Sequence, residues 1–116
     1  ISNLFNFLFS WKKFFTILYD NKPIGFMGLS NIDSKKKTAE IFILIGEDKY
    51  RGKGIGKFSV EYLIGTAFKK LKLRQLILGV NKLNYSAIKL YENLSFKKIE
   101  ETETEIKMIL QNAGLF

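Results

Sequence analysis

Two different spacings of apolar residues divide the chain into predicted helices and strands. Apolar residues at three- and four-residue steps predict a short helix over residues 3–12. The next stretches are rich in β-branched and aromatic residues and are separated by short polar turns, which predicts three strands, at 13–20, 23–33 and 38–46. The third of these is a continuous apolar run, which predicts burial on both faces, and Glu40 is its one charged residue.

The second half of the chain alternates between helical and strand patterns. The predicted elements are a helix from Gly54 to Leu71, a strand over 75–80, a helix from Asn84 to Leu94, and two closing strands over 96–101 and 104–111. A chain of 116 residues is long enough for one hydrophobic core and short for two. We therefore expect residues 1–116 to form a single domain that mixes helices with a sheet.

The composition restricts the available chemistry. The chain has no cysteine and no histidine, which excludes disulfides, thiolate metal sites, a cysteine nucleophile and the most common general base. Any catalysis must use carboxylates, tyrosine, lysine, serine or the backbone. No metal site is expected.

The net charge of +8 is concentrated in one part of the sequence. Residues 51–98 contain eleven lysines and arginines but only two acidic residues, Glu61 and Glu92. Such a segment attracts anions, and three interpretations stay open: a phosphate-rich cofactor, a nucleic acid, or solvated helix faces.

No apolar run approaches the roughly 20 residues that a membrane-spanning helix needs. The first residues also lack the charged, apolar and small-residue order of a signal peptide. We expect a cytoplasmic protein. Because the sequence starts with Ile1 and not with methionine, we also expect an incomplete N-terminus.

A glycine-rich stretch, YRGKGIGKFSVEYL at 50–63, lies between a predicted strand and a predicted helix. Free N–H groups at the start of a helix and a glycine backbone together form an anion cradle. A P-loop is excluded because Arg51 and Phe58 replace a required glycine and a required serine or threonine, and a dinucleotide fingerprint is excluded by Lys57. The remaining pattern is Arg-x-x-Gly-x-Gly over residues 51–56, which as an isolated motif is also compatible with an ordinary turn.

This pattern, in its surroundings, resembles the acyl-CoA pyrophosphate loop of the GCN5-related N-acetyltransferases (GNAT). The segment AEIFILIGEDKYRGKGIGK resembles the fourth strand and loop of that family, and LILGVNKLNYSAIKLYENLSF resembles its fifth strand and following helix. The matching positions of the second segment are Asn84, Ala87, Ile88, Leu90, Tyr91, Glu92 and Phe96. Ser95 replaces the usual glycine, which should alter a turn and leave the chemistry unchanged. The resemblance covers residues 14–110.

The resemblance implies an α/β (α+β) GNAT fold: a mixed, mostly antiparallel sheet with helices on both faces, here with a truncated N-terminal strand and helices. It implies direct transfer of an acetyl group from acetyl-CoA to an amine, and the overall pattern is closest to the ribosomal-protein, polyamine and amino-sugar branch. We expect a small-molecule acceptor such as an amino sugar or a polyamine. The alternatives are a non-catalytic CoA-binding regulatory or partner-docking module and a protein N-terminal acetyltransferase, although the latter keeps a glutamate where this chain has Gly79.

The resemblance also implies the residues that contact acetyl-CoA. The end of the third predicted strand, Ile43 to Ile45, would pair with the pantetheine arm, and the N–H groups of Gly52 to Lys57 would hold the phosphates. Asn84 would cap its helix and reach the cofactor, or only cap its helix. The complete set of expected contacts is Ile43, Leu44, Ile45, Arg51, Gly52, Lys53, Gly54, Ile55, Gly56, Lys57, Asn84, Ala87 and Tyr91.

Two residues are the expected catalytic groups. Tyr91, seven residues after Asn84, matches the general acid of the GNAT family, which protonates the departing thiolate, and a phenol suits that task; the alternative is a helical tyrosine that packs on the sheet. Glu40 lies on a strand eleven residues before Arg51, at the position of the catalytic base in the histone-modifying branch; the alternatives for it are a water chain as the base or a structural role. Glu47 and Asp48 could receive a cationic acceptor.

We expect no nucleic-acid partner, and a homodimer is possible in view of the apolar ends of the chain.

Overall fold

A computed structural model describes the backbone of residues 2–8 and the whole of residues 13–46, 50 and 54–114. The strands are β1 (Ser2–Leu8), β2 (Lys13–Tyr19), β3 (Lys22–Asp33), β4 (Thr38–Ile45), β5 (Gln75–Asn81), β6 (Lys97–Glu101) and β7 (Glu105–Gln111). The helices are α1 (Ile55–Gly65), which continues as a π-helical turn (Thr66–Lys70), and α2 (Tyr85–Asn93).

The described strands form one seven-stranded sheet in the order β1-β2-β3-β4-β5-β7-β6. Every neighbouring pair is antiparallel except β4 and β5, which are parallel. This arrangement confirms the predicted mixed, mostly antiparallel sheet. It also places the single parallel pair at the centre, where α1 forms part of the crossover connection between the two strands.

The predicted helix over residues 3–12 is wrong, because residues 2–8 form the edge strand β1. β1 pairs with β2 from Ser2 opposite Leu18 to Leu8 opposite Lys13. The segment is too short to form a stable helix by itself, and its phenylalanines favour strands. Backbone hydrogen bonds along the open edge of β2 therefore decide its conformation.

β2 and β3 form a hairpin across the predicted polar turn between them, and that turn lies one residue earlier than the sequence suggested. Tyr19 pairs with Lys22, and the two residues between them, Asp20 and Asn21, have φ values of 51° and 62°. Two consecutive left-handed residues match the right-handed twist of the flanking strands, and aspartate and asparagine tolerate this conformation better than most residues.

The hydrophobic core lies on one face of the sheet. Fully buried side chains come from the inner strands of the sheet, from α1 and from the π-helical turn that follows it, and they include Met27, Leu76, Met108, Leu63 and Phe68. Apolar residues of α2 pack against the same cluster. Both described helices therefore share one face, where helices on both faces were expected; the N-terminal segment that was expected to be helical is β1 instead.

The opposite face of the sheet carries exposed apolar side chains. Leu44 of β4 is 63% exposed, and Phe26, its partner on β3, is 58% exposed. The expected burial of this strand on both faces is therefore wrong. Its continuous apolar run has a different explanation: alternate residues such as Ala39 and Ile41 face the core, while Phe42 packs edge-on against Phe14 with ring centroids 5.2 Å apart.

Candidate functional site

The two parallel strands at the centre of the sheet separate partway along their length. β4 and β5 pair from Thr38 opposite Gln75 to Glu40 opposite Ile77, and their described ladder ends there. β4 nevertheless continues to Ile45, paired with β3 on its other side. The backbone edge of Ile41 to Ile45 that faces β5 is therefore open to a ligand.

A cleft of about 500 Å³ occupies the space beside this open edge. Its walls are the end of β4, the start of α1 and the first turns of α2. The lining residues are Ile43, Leu44, Ile45, Tyr50, Gly54, Gly56, Lys57, Asn84, Ser86, Ala87, Leu90 and Tyr91. The end of β4, Gly54 at the start of α1, and the first turns of α2 thus meet at one place.

The start of α1 gives this cleft an electropositive end. Gly54 precedes the helix with φ of 78° and ψ of 5°, a left-handed conformation that a side chain would strain. Its carbonyl accepts the first bond of the helix from the Phe58 N–H at 3.0 Å. No acidic residue lies in the first turn, and Lys57 is exposed there. The helix dipole and the lysine therefore favour an anion at this point.

The second helix places a hydrogen-bonding cap and a phenol on the opposite wall. The Asn84 side-chain oxygen accepts a hydrogen bond from the Ala87 N–H at 3.3 Å and one from the Ser86 hydroxyl at 3.4 Å. The predicted role of Asn84 as a helix cap is therefore confirmed. Two turns later the half-buried Tyr91 packs against Phe96 with ring centroids 5.7 Å apart. Burial raises the pKa of the Tyr91 phenol above its ordinary value of 10.0.

The structure brings most of the predicted cofactor residues together in this cleft. Those that line it are Ile43, Leu44, Ile45, Gly54, Gly56, Lys57, Asn84, Ala87 and Tyr91. Ile55 does not line the cleft, since its side chain is 1% exposed and belongs to the core. The other predicted residues, Arg51, Gly52 and Lys53, lie outside the described residues, and so do Glu47 and Asp48.

Glu40 is not in this cleft. Its side chain lines a second cavity of about 340 Å³ together with Glu100, Glu101, Gly79 and Glu105. The expectation of burial among apolar neighbours is wrong, because Glu40 is only half-buried and accepts a hydrogen bond from the Asn31 side-chain amide. Glu40 nevertheless belongs to the last pair before β4 and β5 separate, so it lies at the fork between the two strands.

The carboxylates of the second cavity differ in their surroundings. Glu101 accepts from the Lys82 ammonium at 3.0 Å and from the Lys98 ammonium at 2.9 Å. Hydrogen bonds from Lys98 and then Lys82, together with the charges of both lysines, lower the pKa of Glu101 to about 2. Glu105 lies across the cavity, and its Oε1 is 3.5 Å from the position that a Cβ on Gly79 would take. The cavity is therefore acidic beside Gly79.

Three lining residues of the first cleft were not predicted from the sequence: Tyr50, Ser86 and Leu90. Tyr50 packs against Tyr19 of β2 with ring centroids 5.6 Å apart, a contact across 31 positions that no local pattern indicates. Leu90 could have been predicted, because it lies three positions after Ala87 and thus on the same helix face as Ala87 and Tyr91.

Within the part of the chain that the structure describes, no group of three acidic, histidine or cysteine side chains is arranged to hold a metal ion. Neither described helix has the length and apolar character needed to span a membrane.

A profile described as the Acetyltransferase (GNAT) family matches residues 3–96. The chain belongs to this family. The match includes the end of β4, the glycine-rich turn and α2, which are the GNAT segments that the sequence resembles.

Curated relatives of this GNAT chain carry acetyltransferase names. An N-acetyltransferase 9-like protein of Caenorhabditis briggsae is 31% identical over 100 residues, covering 81% of this chain and 50% of the relative. Acetyltransferase PseH of Campylobacter jejuni is 32% identical over 92 residues, covering 79% of this chain and 55% of the relative. The chain thus spans about half the length of the curated relatives it matches.

Solved structures confirm the predicted GNAT fold. PseH of Campylobacter jejuni in complex with acetyl coenzyme A superposes with a TM-score of 0.76 at 30% identity, covering 90% of this chain and 70% of that one. A dodecameric spermidine N-acetyltransferase of Vibrio cholerae superposes with a TM-score of 0.81 at 22% identity, covering 90% and 67%. The second likeness concerns the fold alone.

Proposed function

We propose that this chain is an acetyl-CoA-dependent N-acetyltransferase that transfers an acetyl group directly to the amine of a small molecule such as an amino sugar or a polyamine. The observation that carries the proposal is the cleft in which an unpaired strand edge, a helix start and a tyrosine meet. The proposal includes residues 1–116 as one acetyl-CoA-binding domain and a cytoplasmic location, where acetyl-CoA is available. A homodimer stays a prediction.

The cleft fits the phosphate end of acetyl-CoA at the start of α1. The free N–H groups that follow Gly54 and the Lys57 ammonium provide hydrogen bonds and positive charge. Backbone groups of residues 51–53 would complete the cradle, with the charges of Arg51 and Lys53. The helix start packs closely against α2, since a Cβ on Gly56 would lie 3.3 Å from the Leu90 side chain.

The open edge of β4 fits the amide-bearing pantetheine arm. Ile43 to Ile45 present N–H and C=O groups that pair with no strand on the β5 side, so an extended chain of amides can hydrogen-bond to them as an added strand would. The Ile45 N–H would face the thioester oxygen and stabilise the negative charge that develops on it.

Tyr91 is the proposed general acid. Acetyl-CoA supplies an activated thioester carbonyl when it is bound, and its sulfur leaves as a thiolate unless a proton is provided. The raised pKa of Tyr91 keeps its phenol protonated throughout the physiological range. The phenol can therefore donate a hydrogen bond, and then its proton, to the departing sulfur.

The acceptor amine must lose a proton before it attacks, because a lysine-type amine has a pKa of roughly 10.4. We propose Glu40, acting directly or through water, as the base, because it lies at the fork of β4 and β5. Glu101 of the same cavity is paired with two lysines, but Glu100 and Glu105 outnumber the one lysine that lines it, Lys107, and so favour a cationic amine on this side of the sheet. Glu40 and Tyr91 line different cavities, however, and this favours the second candidate function, a CoA-binding module without catalysis.

Calorimetry with acetyl-CoA and a CoA-release assay together separate these functions. The release assay uses spermidine, a hexosamine and a short peptide with a free N-terminus as acceptors. The proposal is supported if the wild type releases CoA with spermidine or the hexosamine and the Glu40→Gln variant releases it more slowly. Binding without release for any acceptor supports the non-catalytic module, release with the peptide alone supports an N-terminal acetyltransferase, and no binding contradicts all three.

A further inference from the structure

One glycine of β3 lies very close to the end of β4, on the side of β4 opposite to the open edge that forms the cleft. A Cβ built on Gly25 would lie 2.1 Å from the carbonyl oxygen of Leu44 and 3.1 Å from the Cα of Ile45. Both are backbone atoms of β4, so no side-chain rotation could relieve the overlap. Only glycine allows β3 and β4 to approach this closely here.

The pairing of β3 is irregular at the same place. Ile17 of β2 pairs with Gly25, but the next residue, Leu18, pairs with Pro23, so Ile24 is an extra residue in β3. A bulge of this kind bends its strand and increases the local twist. The Ile24 carbonyl also accepts a hydrogen bond from the Gly46 N–H at 2.8 Å. The bulge therefore holds the residue that directly follows β4.

The far side of β4 offers no comparable support. Its described ladder with β5 ends at Glu40, so among the described strands the position of Ile43 to Ile45 depends on β3 alone. From these observations we infer that Gly25 is a positioning residue: its close approach to Leu44 sets the place of the open β4 edge and hence the width of the gap between β4 and β5.

This inference rests on the proposed function, because the gap is the place proposed for the pantetheine arm. In Gly25→Ala, the added methyl group must push the Leu44 carbonyl away from β3. We expect the displacement towards the gap, because no described strand pairs with β4 on that side at Leu44. The displacement needed to relieve the overlap is about 1 Å, and a shift of that size can change activity about 100-fold. We expect acetyl-CoA affinity to fall at least about tenfold.

Gly28→Ala is the matched control on the same strand. A Cβ on Gly28 would lie 2.3 Å from the Lys13 carbonyl oxygen and 2.7 Å from the Phe42 ring, so the substitution also strains β3. Its backbone overlap is with β2, away from the cleft. The measurement is acetyl-CoA titration calorimetry at a temperature at which circular dichroism finds wild type and both variants folded.

The inference predicts that Gly25→Ala binds acetyl-CoA at least about tenfold more weakly than Gly28→Ala does. Equal affinities of the two variants, with a wild type that binds, would overturn the positioning role and leave the proposed function intact. A wild type that binds no acetyl-CoA would overturn the proposed function and this inference with it.

A second measurement decides the question if either variant fails to fold. Hydrogen exchange of the Gly46 amide is followed in the wild type without and with acetyl-CoA. If β3 positions the end of β4, the amide is already protected without the ligand by its bond to Ile24. Protection that arises only when acetyl-CoA is added would mean that the ligand orders this strand end, and would refute the role of Gly25.

Discussion

Replacement of Tyr91 by phenylalanine isolates the proposed proton donation from the packing of the ring. The phenyl ring keeps its contact with Phe96, whose centroid lies 5.7 Å away, and only the hydroxyl is lost. Loss of a general acid costs about 10²- to 10⁴-fold in rate, which corresponds to about 2.7 to 5.4 kcal/mol of transition-state stabilisation. We therefore expect kcat in Tyr91→Phe to fall by that factor, with a much smaller change in the Kd for acetyl-CoA.

The assay is CoA release at saturating acetyl-CoA across a range of pH. Because burial raises the pKa of Tyr91, the active protonated form persists as pH rises through 10.0 and is lost only above it. If deprotonation of Tyr91 inactivates the wild type, its activity should therefore fall only in that alkaline range. The residual activity of Tyr91→Phe should show no such fall. Tyr85→Phe is the matched control, since Tyr85 begins the same helix but is 71% exposed. Equal rates for wild type, Tyr85→Phe and Tyr91→Phe would refute the assignment.

Three further predictions concern the helix start, the core and the second cavity. Gly54→Ala should weaken acetyl-CoA binding and lower the free energy of unfolding by about 1 to 2 kcal/mol, because φ at Gly54 is 78°. Gly65→Ala should raise the free energy of unfolding by up to about 1 kcal/mol, because Gly65 has a helical φ of −60° and open space around it. Urea unfolding measures the stability of both variants and calorimetry measures their acetyl-CoA binding; equal effects of the two substitutions would contradict the prediction. Ser59→Ala should raise the free energy of unfolding by about 1 kcal/mol, because among the described residues its buried hydroxyl has no hydrogen-bond partner; a loss of stability would indicate a partner. NMR titration should give Glu101 a pKa of about 2, so that the stability from its charge is present above pH 4.5 and lost as pH falls towards 2, and Lys82→Gln should raise that pKa; no change would contradict the ion pairs.

The parts of the fold that follow from local chemistry could be predicted from the sequence. Asn84 caps α2 because its side chain can reach the Ala87 N–H, and the hairpin turn forms where two residues tolerate positive φ. The cleft residues at the start of α1 follow from the glycines that precede Lys57 in the sequence. These features depend on contacts within a few residues, which is the range that a sequence pattern describes.

The remaining features depend on contacts between distant segments. β1 forms because its backbone pairs with the edge of β2. The pattern of residues 3–12 alone does not indicate that such an edge is present. The surroundings of Glu40 depend on Asn31 of β3 and on Glu105, which lies 65 positions after Glu40 in the sequence. The burial of Glu40 could therefore not be predicted from its neighbours in β4. The strain relieved by Gly25 likewise depends on where Leu44 lies in the neighbouring strand.

A crystal structure of this chain with acetyl-CoA would show whether the cofactor occupies the cleft beside the open edge of β4. We expect the pantetheine arm alongside Ile43 to Ile45, the thioester oxygen towards the Ile45 N–H, the sulfur within reach of the Tyr91 hydroxyl, and the phosphates at the start of α1 beside Lys57. Ordered acetyl-CoA at another place on the molecule, with β4 and β5 still separated and the cleft between them empty, would contradict this expectation.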